Sequence, residues 1–271
     1  MMQDSKKPPA KTPRKGIYLL PNLFTTGALF AGFYAIIAAM KGLFDTAAIA
    51  VFLAMLLDGL DGRVARLTNT QSDFGAEYDS LADLASFGLA PALVMYQWAL
   101  IHLVDLGTSW GKIGWLAAFI YTAAAALRLA RFNTQIGTAD KRYFQGLPSP
   151  AAAAAVVGFV WLCEFYGLTG QELMFPAMVL TVVAGSLMVS RFSYYSFKDV
   201  DLKRRVPFIS VLIVLLIFVL LSIETPTALF LIFFLYMISG PILALFRYLR
   251  KRRKLAERDE DSGEQPPPSA D

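Results

Sequence analysis

Cysteine and histidine are almost absent from this 271-residue chain, which has one of each, Cys163 and His102, and charged residues make up only 17% of it. A lone cysteine excludes an intrachain disulfide and any metal site built from paired thiolates, so Cys163 reads as packing. The lone histidine lies, in the topology derived below, on the side opposite the acidic cluster, which excludes a Ser–His–Asp triad there. The shortage of charge excludes a soluble domain, in which roughly a quarter of residues are charged. A cleaved signal peptide is not expected either, because the first apolar run is too long and has no small-residue cleavage site.

What fills the chain instead is apolar: 56% hydrophobic residues, including 21 Phe. Read for stretches of about 20 apolar residues, the sequence gives eight candidate spans, near 19–40, 44–66, 81–104, 113–131, 150–168, 172–190, 206–223 and 226–247. Acidic residues interrupt the second and third. Lys and Arg gather on alternate connections: Lys6 to Lys15, Arg128 to Arg142, Arg191 to Arg205, and Arg247 to Arg258, while only Lys41 and Lys112 fall on the opposite side. The positive-inside bias therefore predicts cytoplasmic termini and an even number of spans. Topology and anionic lipid account for these basic clusters, so no nucleic-acid partner is expected. The fold class predicted is all-α, a polytopic membrane helical bundle of about eight transmembrane helices. Residues 1–16 read as a disordered basic cytoplasmic arm, 17–248 as the membrane domain, and 249–271 as a disordered cytoplasmic tail. The run Ala151–Ala155 reads as close helix packing.

Against that apolar background stand four aspartates, Asp58, Asp61, Asp79 and Asp83, within 26 residues at the cytoplasmic end of the second and third spans. A carboxylate inside a membrane costs about 2.5–3.5 kcal/mol on insertion scales. One such residue near a helix end can reach the interface, but four need a function. Asp58 and Asp61 are three apart and Asp79 and Asp83 four apart, so each pair shares a helix face. The polar segment Leu67–Gly75 between them reads as a turn. Two antiparallel helix ends would then present four like charges to each other, with Arg66 offsetting one. Two divalent cations, Mg2+ or Mn2+, would neutralise the rest, and such a pair is the known clamp for phosphoryl chemistry. Gly62 and Ala65 leave room for a ligand or a helix, Gly75 allows close backbone approach, and Arg66 has a fork suited to phosphate.

The pattern Asp58-x2-Asp61-Gly62-x2-Ala65-Arg66-x8-Gly75-x3-Asp79-x3-Asp83 resembles the signature of the CDP-alcohol phosphotransferase family at every fixed position. The resemblance implies a six-helix core, a two-metal site, and displacement of CMP from a CDP-linked lipid. It also implies roles. Asp58 and Asp79 would share both metals, Asp61 would bind the first, and Asp83 the second while acting as general base. Gly62, Arg66, Gly75 and Ser72 would line the CDP-lipid site. The segment Pro21 to Thr26 resembles the family's first-helix entry, which adds Asn22 and Thr25 to the nucleotide contacts; Asn22 could equally be a helix cap. Homodimers are usual in the family, and a bacterial inner membrane is the location it implies.

The motif leaves the acceptor open. The segments Tyr18–Thr26, Leu127–Asn133 and Phe144–Ala151 resemble the branch of the family that joins CDP-diacylglycerol to L-serine. Arg128 and Arg131 share a helix face, and with Asn133 they are candidates for serine binding, a bidentate Arg–carboxylate contact being the discriminating interaction. As positive-inside residues they have an equally simple reading. Choline, inositol phosphate and glycerol phosphate stand as alternative acceptors. A cation-coupled transporter stands as a different class, although transport favours acids near mid-membrane and broken helices.

Overall fold

The computed structural model describes residues 19–68, 70, 72–134, 143–195, 215 and 222–263. Among the described residues eight α-helices carry the architecture: α1 Leu19–Met40, α2 Phe44–Thr68, α3 Asp73–Asp83, α4 Ala90–Trp98, α5 Thr108–Thr134, α6 Ser149–Phe165, α7 Met174–Val189 and α8 Thr225–Gly263. A π-helical segment, Leu84–Leu89, joins α3 to α4 without a break, and a 3-10 helix, Leu100–Leu106, follows α4. The molecule is an all-α polytopic membrane protein.

The helices α1, α5 and the first two-thirds of α8 are long and apolar enough to cross a membrane. The run from α3 through α4, bent by 41° into the 3-10 helix, makes a fourth if it is counted as one span. The α6 and α7 helices are shorter apolar helices of 17 and 16 residues. The arm 1–16 and the seventh expected span, 206–223, lie outside the described residues apart from positions 215, 222 and 223. The α8 helix runs past the apolar run to Gly263, so the segment expected to be tail from residue 249 begins as helix, as its helix-forming Leu255, Ala256 and Glu257 favour.

Small residues decide how the helices meet. In lipid no hydrophobic driving force holds helices together, so close backbone approach must. The α6 helix sits at the centre, in contact with α2, α4, α7 and α8, and Ala151 to Ala155 are all buried. The α1 helix packs along α2 through Ala28, Ala31, Ala35, Ala38 and Ala39 on one side and Ala47, Ala48, Val51 and Ala54 on the other. Cys163 is buried in the same core. Gly32 of α1 touches the π segment so closely that a Cβ there would lie 2.7 Å from the Ser86 Cα. Gly32→Ala should therefore part α1 from the π segment and destabilise the protein by about 1–3 kcal/mol, read as a lower melting temperature in detergent; an unchanged melt would show that this contact yields freely.

One element was not legible in the sequence. Tyr143–Gln145 and Ser193–Tyr195 form a two-stranded antiparallel sheet, β1 and β2, with Phe144 opposite Tyr194. It ties together the two connections that follow α5 and α7. Gly146, at φ +81°, turns the chain from β1 toward α6 against the Met188 carbonyl, and only glycine takes that conformation without strain. Tyr194 is fully buried, and its hydroxyl donates to the Met237 carbonyl of α8 at 2.8 Å.

Candidate active site

The site is built where one end of α1, α2, α3 and α5 converges. Ser72 caps α3, its hydroxyl accepting from the Gly75 N–H at 3.0 Å. The connection is shorter than the Leu67–Gly75 turn expected, because α2 continues to Thr68 and α3 begins at Asp73. The short link presses the two helix ends together and sets their acidic faces opposite each other.

Asp58, Asp61 and Asp79 each offer a carboxylate oxygen within 4.8 Å of the others. Asp61 is 4% exposed, and Asp58 and Asp79 are half-buried. The Thr25 hydroxyl lies 2.8 Å from Asp61 Oδ2 and 3.2 Å from the Pro21 carbonyl. Its one proton goes to the nearer, charged acceptor, so Thr25 aims a carboxylate rather than facing a nucleotide directly. Asp79 Oδ1 is buried and has no hydrogen-bond partner among the described residues. An orphaned carboxylate oxygen beside two further carboxylates is costly unless a cation completes it. Hard oxygen donors clustered in this way fit a hard divalent ion, so the cluster can hold a metal. Asp83, one turn beyond Asp79, sits outside this trio with its carboxyl against that of Asp58.

Arg128 of α5 is the cation whose charge acts on Asp83. Its Nη1 donates to the Ser149 hydroxyl at 2.8 Å, while its Nε is buried without a partner among the described residues. The serine candidates therefore separate. Arg128 stands beside Asp83; Arg131 is half-buried one turn on; Asn133 is engaged elsewhere, its Nδ2 donating to the Ser80 hydroxyl of α3 at 3.0 Å.

The remaining predicted contacts divide in the same way. Gly62 opens onto empty space, since a Cβ there would meet nothing within 4 Å, which leaves room for a ligand beside Asp61. Arg66 is exposed and its Nε donates to the Gly62 carbonyl at 2.9 Å. A Cβ on Gly75 would press on the protein's own side chains, 3.1 Å from the Ser72 Oγ and 3.5 Å from the Asn22 Oδ1. Asn22 is inside α1, which begins at Leu19, so it is not that helix's cap; its side chain points toward α3. Tyr78 and Ser80 escaped the sequence reading. Tyr78 hydrogen-bonds Thr26 at 2.9 Å and fixes α3 on α1, as Ser80 fixes it on α5. Ser149 was also missed. It lies inside the Phe144–Ala151 segment, but its partner comes from another helix, and no local pattern announces that.

Comparison with known proteins identifies the family. A sequence model of the family described as CDP-alcohol phosphatidyltransferase matches residues 18–185. A protein of Helicobacter pylori named CDP-diacylglycerol–serine O-phosphatidyltransferase is 42% identical over 237 residues, covering 86% of this chain and 94% of that one. Proteins of the same name from Methanocaldococcus jannaschii and Saccharomyces cerevisiae are 38% and 36% identical over 144 and 160 residues. These alignments cover 53% and 54% of this chain, and 61% and 54% of theirs.

Proposed function

The chain belongs to the CDP-alcohol phosphatidyltransferase family, and on that premise we propose that it transfers the phosphatidyl group of CDP-diacylglycerol to the hydroxyl of L-serine and releases CMP. The observation that carries this reading is the position of Asp83, whose carboxyl meets that of Asp58 in the carboxylate cluster and feels the charge of Arg128. A proton acceptor thus neighbours both a site suited to the donor's diphosphate and a cation suited to the acceptor's carboxylate.

In the reaction the serine oxygen attacks the lipid-side phosphorus. The bond from that phosphorus to the bridging oxygen breaks, and the electron pair leaves with CMP. Asp83 takes the hydroxyl proton, the role a carboxylate must fill where no histidine can reach. Asp58 and Asp79 would be shared between two divalent ions, Mg2+ or Mn2+, with Asp61 completing one site and Asp83 the other. When bound, such ions supply charge stabilisation to the phosphate oxygens. Thr25 holds Asp61 in place through its 2.8 Å hydrogen bond. Gly62 leaves space for the CDP group beside Asp61, and Arg66 offers it a guanidinium, while Ser72, Gly75 and Asn22 shape the wall of the same site. Arg128 receives the serine carboxylate through its unpartnered Nε, with Ser149 fixing the other edge of the fork. Arg131 extends that pocket toward the helix end, and Asn133 braces its edge by holding Ser80 of α3.

The lipid donor enters from the bilayer; the alternating basic clusters support a site on the cytoplasmic side, and family membership suggests a bacterial inner membrane, where serine is available. A homodimer is the assembly that family membership suggests. The test is CMP release by purified protein in detergent, with CDP-diacylglycerol, Mn2+ or Mg2+, and a panel of alcohols. Release and lipid product that require both serine and metal are expected. Product with choline, inositol phosphate or glycerol phosphate in place of serine would keep the aspartate chemistry and remove serine. Silence with every acceptor, from folded protein, would sink the assignment.

A further inference from the structure

The helix that carries Asp79 and Asp83 does not continue as an ordinary α-helix. Directly after Asp83 it widens into the π segment, where the Ala90 N–H reaches back five residues to the Ala85 carbonyl. Pro91 supplies the reason. Proline has no N–H to give the carbonyl four residues back, that of Phe87, and its ring crowds that carbonyl. In a membrane interior no water can satisfy the freed group. The Tyr121 hydroxyl of α5 does so, donating to the Phe87 carbonyl at 3.1 Å. The Thr122 hydroxyl is shared, 3.2 Å from the Ala118 carbonyl of its own helix and 3.3 Å from the Gly88 carbonyl. On the other face Ser86 donates to the Ala28 carbonyl of α1 at 3.1 Å.

Tyr121 cannot drift. It is fully buried, α7 presses on it where a Cβ on Gly185 would lie 3.1 Å from its Cα, and Ala125 meets Gly88 one turn further along α5, where a glycine Cβ would come within 3.2 Å. A π turn holds one residue more than an α turn, so losing it would rotate α3 against α4 by about 100°. Because α4 is anchored on α1, α5 and α6, the rotation would fall on α3 and carry Asp79 and Asp83 off the face that meets Asp58 and Asp61.

We propose that Tyr121 is a positioning residue for the transfer reaction: with Thr122 it holds the π turn open and so keeps the Asp79 and Asp83 carboxylates in register with those of α2. The same helix carries Arg128 seven residues later, so α5 sets the base and the acceptor cation together. The kinetic part of this inference rests on the transferase reading; the register part does not.

The test is Tyr121→Phe, which removes only the hydroxyl. Turnover should fall by at least about 10–100-fold, the scale of a misplacement near 1 Å, with the KM for serine within about twofold of the parent, since Arg128 is on α5, while the KM for CDP-diacylglycerol rises because Ser72 and Gly75 move with α3. Register is read separately, in a Cys163→Ala background carrying Ser80→Cys and Asn133→Cys, two positions joined by a 3.0 Å hydrogen bond across α3 and α5. Oxidative cross-linking of that pair should slow about tenfold or more when Tyr121→Phe is added, because a disulfide tolerates little displacement. Parental turnover would overturn the proposal, and so would reduced turnover with an unchanged cross-linking rate. If Tyr121→Phe does not accumulate as folded protein, Thr122→Val takes its place with the same two readouts and a smaller loss in each. If the parent shows no transferase activity at all, the function assigned above fails, and the cross-linking rate alone decides the register claim.

Discussion

Asp83→Asn is expected to insert and fold yet lose turnover by about 10²–10⁴-fold, the usual contribution of a positioned general base. Asparagine keeps the shape of the side chain and removes both the charge and the ability to accept the proton. The fold should survive, because the substitution relieves repulsion where the Asp83 carboxyl meets that of Asp58, although Arg128 loses its facing charge. The measurements are steady-state CMP release with saturating CDP-diacylglycerol and serine, and a melt in detergent beside the parent. A normal rate from folded Asp83→Asn would remove Asp83 from the base role. The loss should appear in kcat and kcat/KM together, the sign of a group that acts in the transition state rather than in ground-state binding.

The second large effect is expected at Arg128. Its guanidinium gives one edge to Ser149 and keeps Nε buried without a partner among the described residues, an arrangement that a planar fork can fill and a lysine cannot. Arg128→Lys should therefore raise the KM for serine by about 10–100-fold, the worth of one hydrogen bond to a charged group, and leave the KM for CDP-diacylglycerol within about twofold. Arg131→Ala, one turn on and half-buried, should act in the same direction and more weakly. Equal effects of Arg128→Lys on both substrates would make Arg128 a support for Asp83 rather than a serine contact. An effect of Arg131→Ala on neither substrate would return Arg131 to its reading as a topology charge.

The sequence by itself determined the class and the chemistry of this protein. Apolar runs of span length are a one-dimensional signal, since a helix in lipid must satisfy its own backbone, and five of the expected spans reappear as helices shifted by at most a few residues at their ends: α1, α2, α5, α6 and α7. The aspartates were legible for a related reason. Their spacing is local, three and four residues on two neighbouring helices, so helical periodicity alone brings each pair to one face, and the short polar link leaves little choice but to oppose them.

Only the tertiary structure decided what depends on contacts between helices distant in the chain. Thr25 reads as a nucleotide contact in sequence and orients Asp61 in the fold, 36 residues away. Asn133 reads as part of a serine pocket and meets Ser80, 53 residues away. The β1–β2 pairing and the Arg128–Ser149 hydrogen bond have no local period to betray them. The π turn is the clearest case. Pro91 announces that a carbonyl will be left over, but whether the helix kinks, breaks or widens depends on which neighbour can satisfy that carbonyl. Here the neighbour is a tyrosine on another helix, held by close packing on every side, and that packing exists only once the bundle has formed.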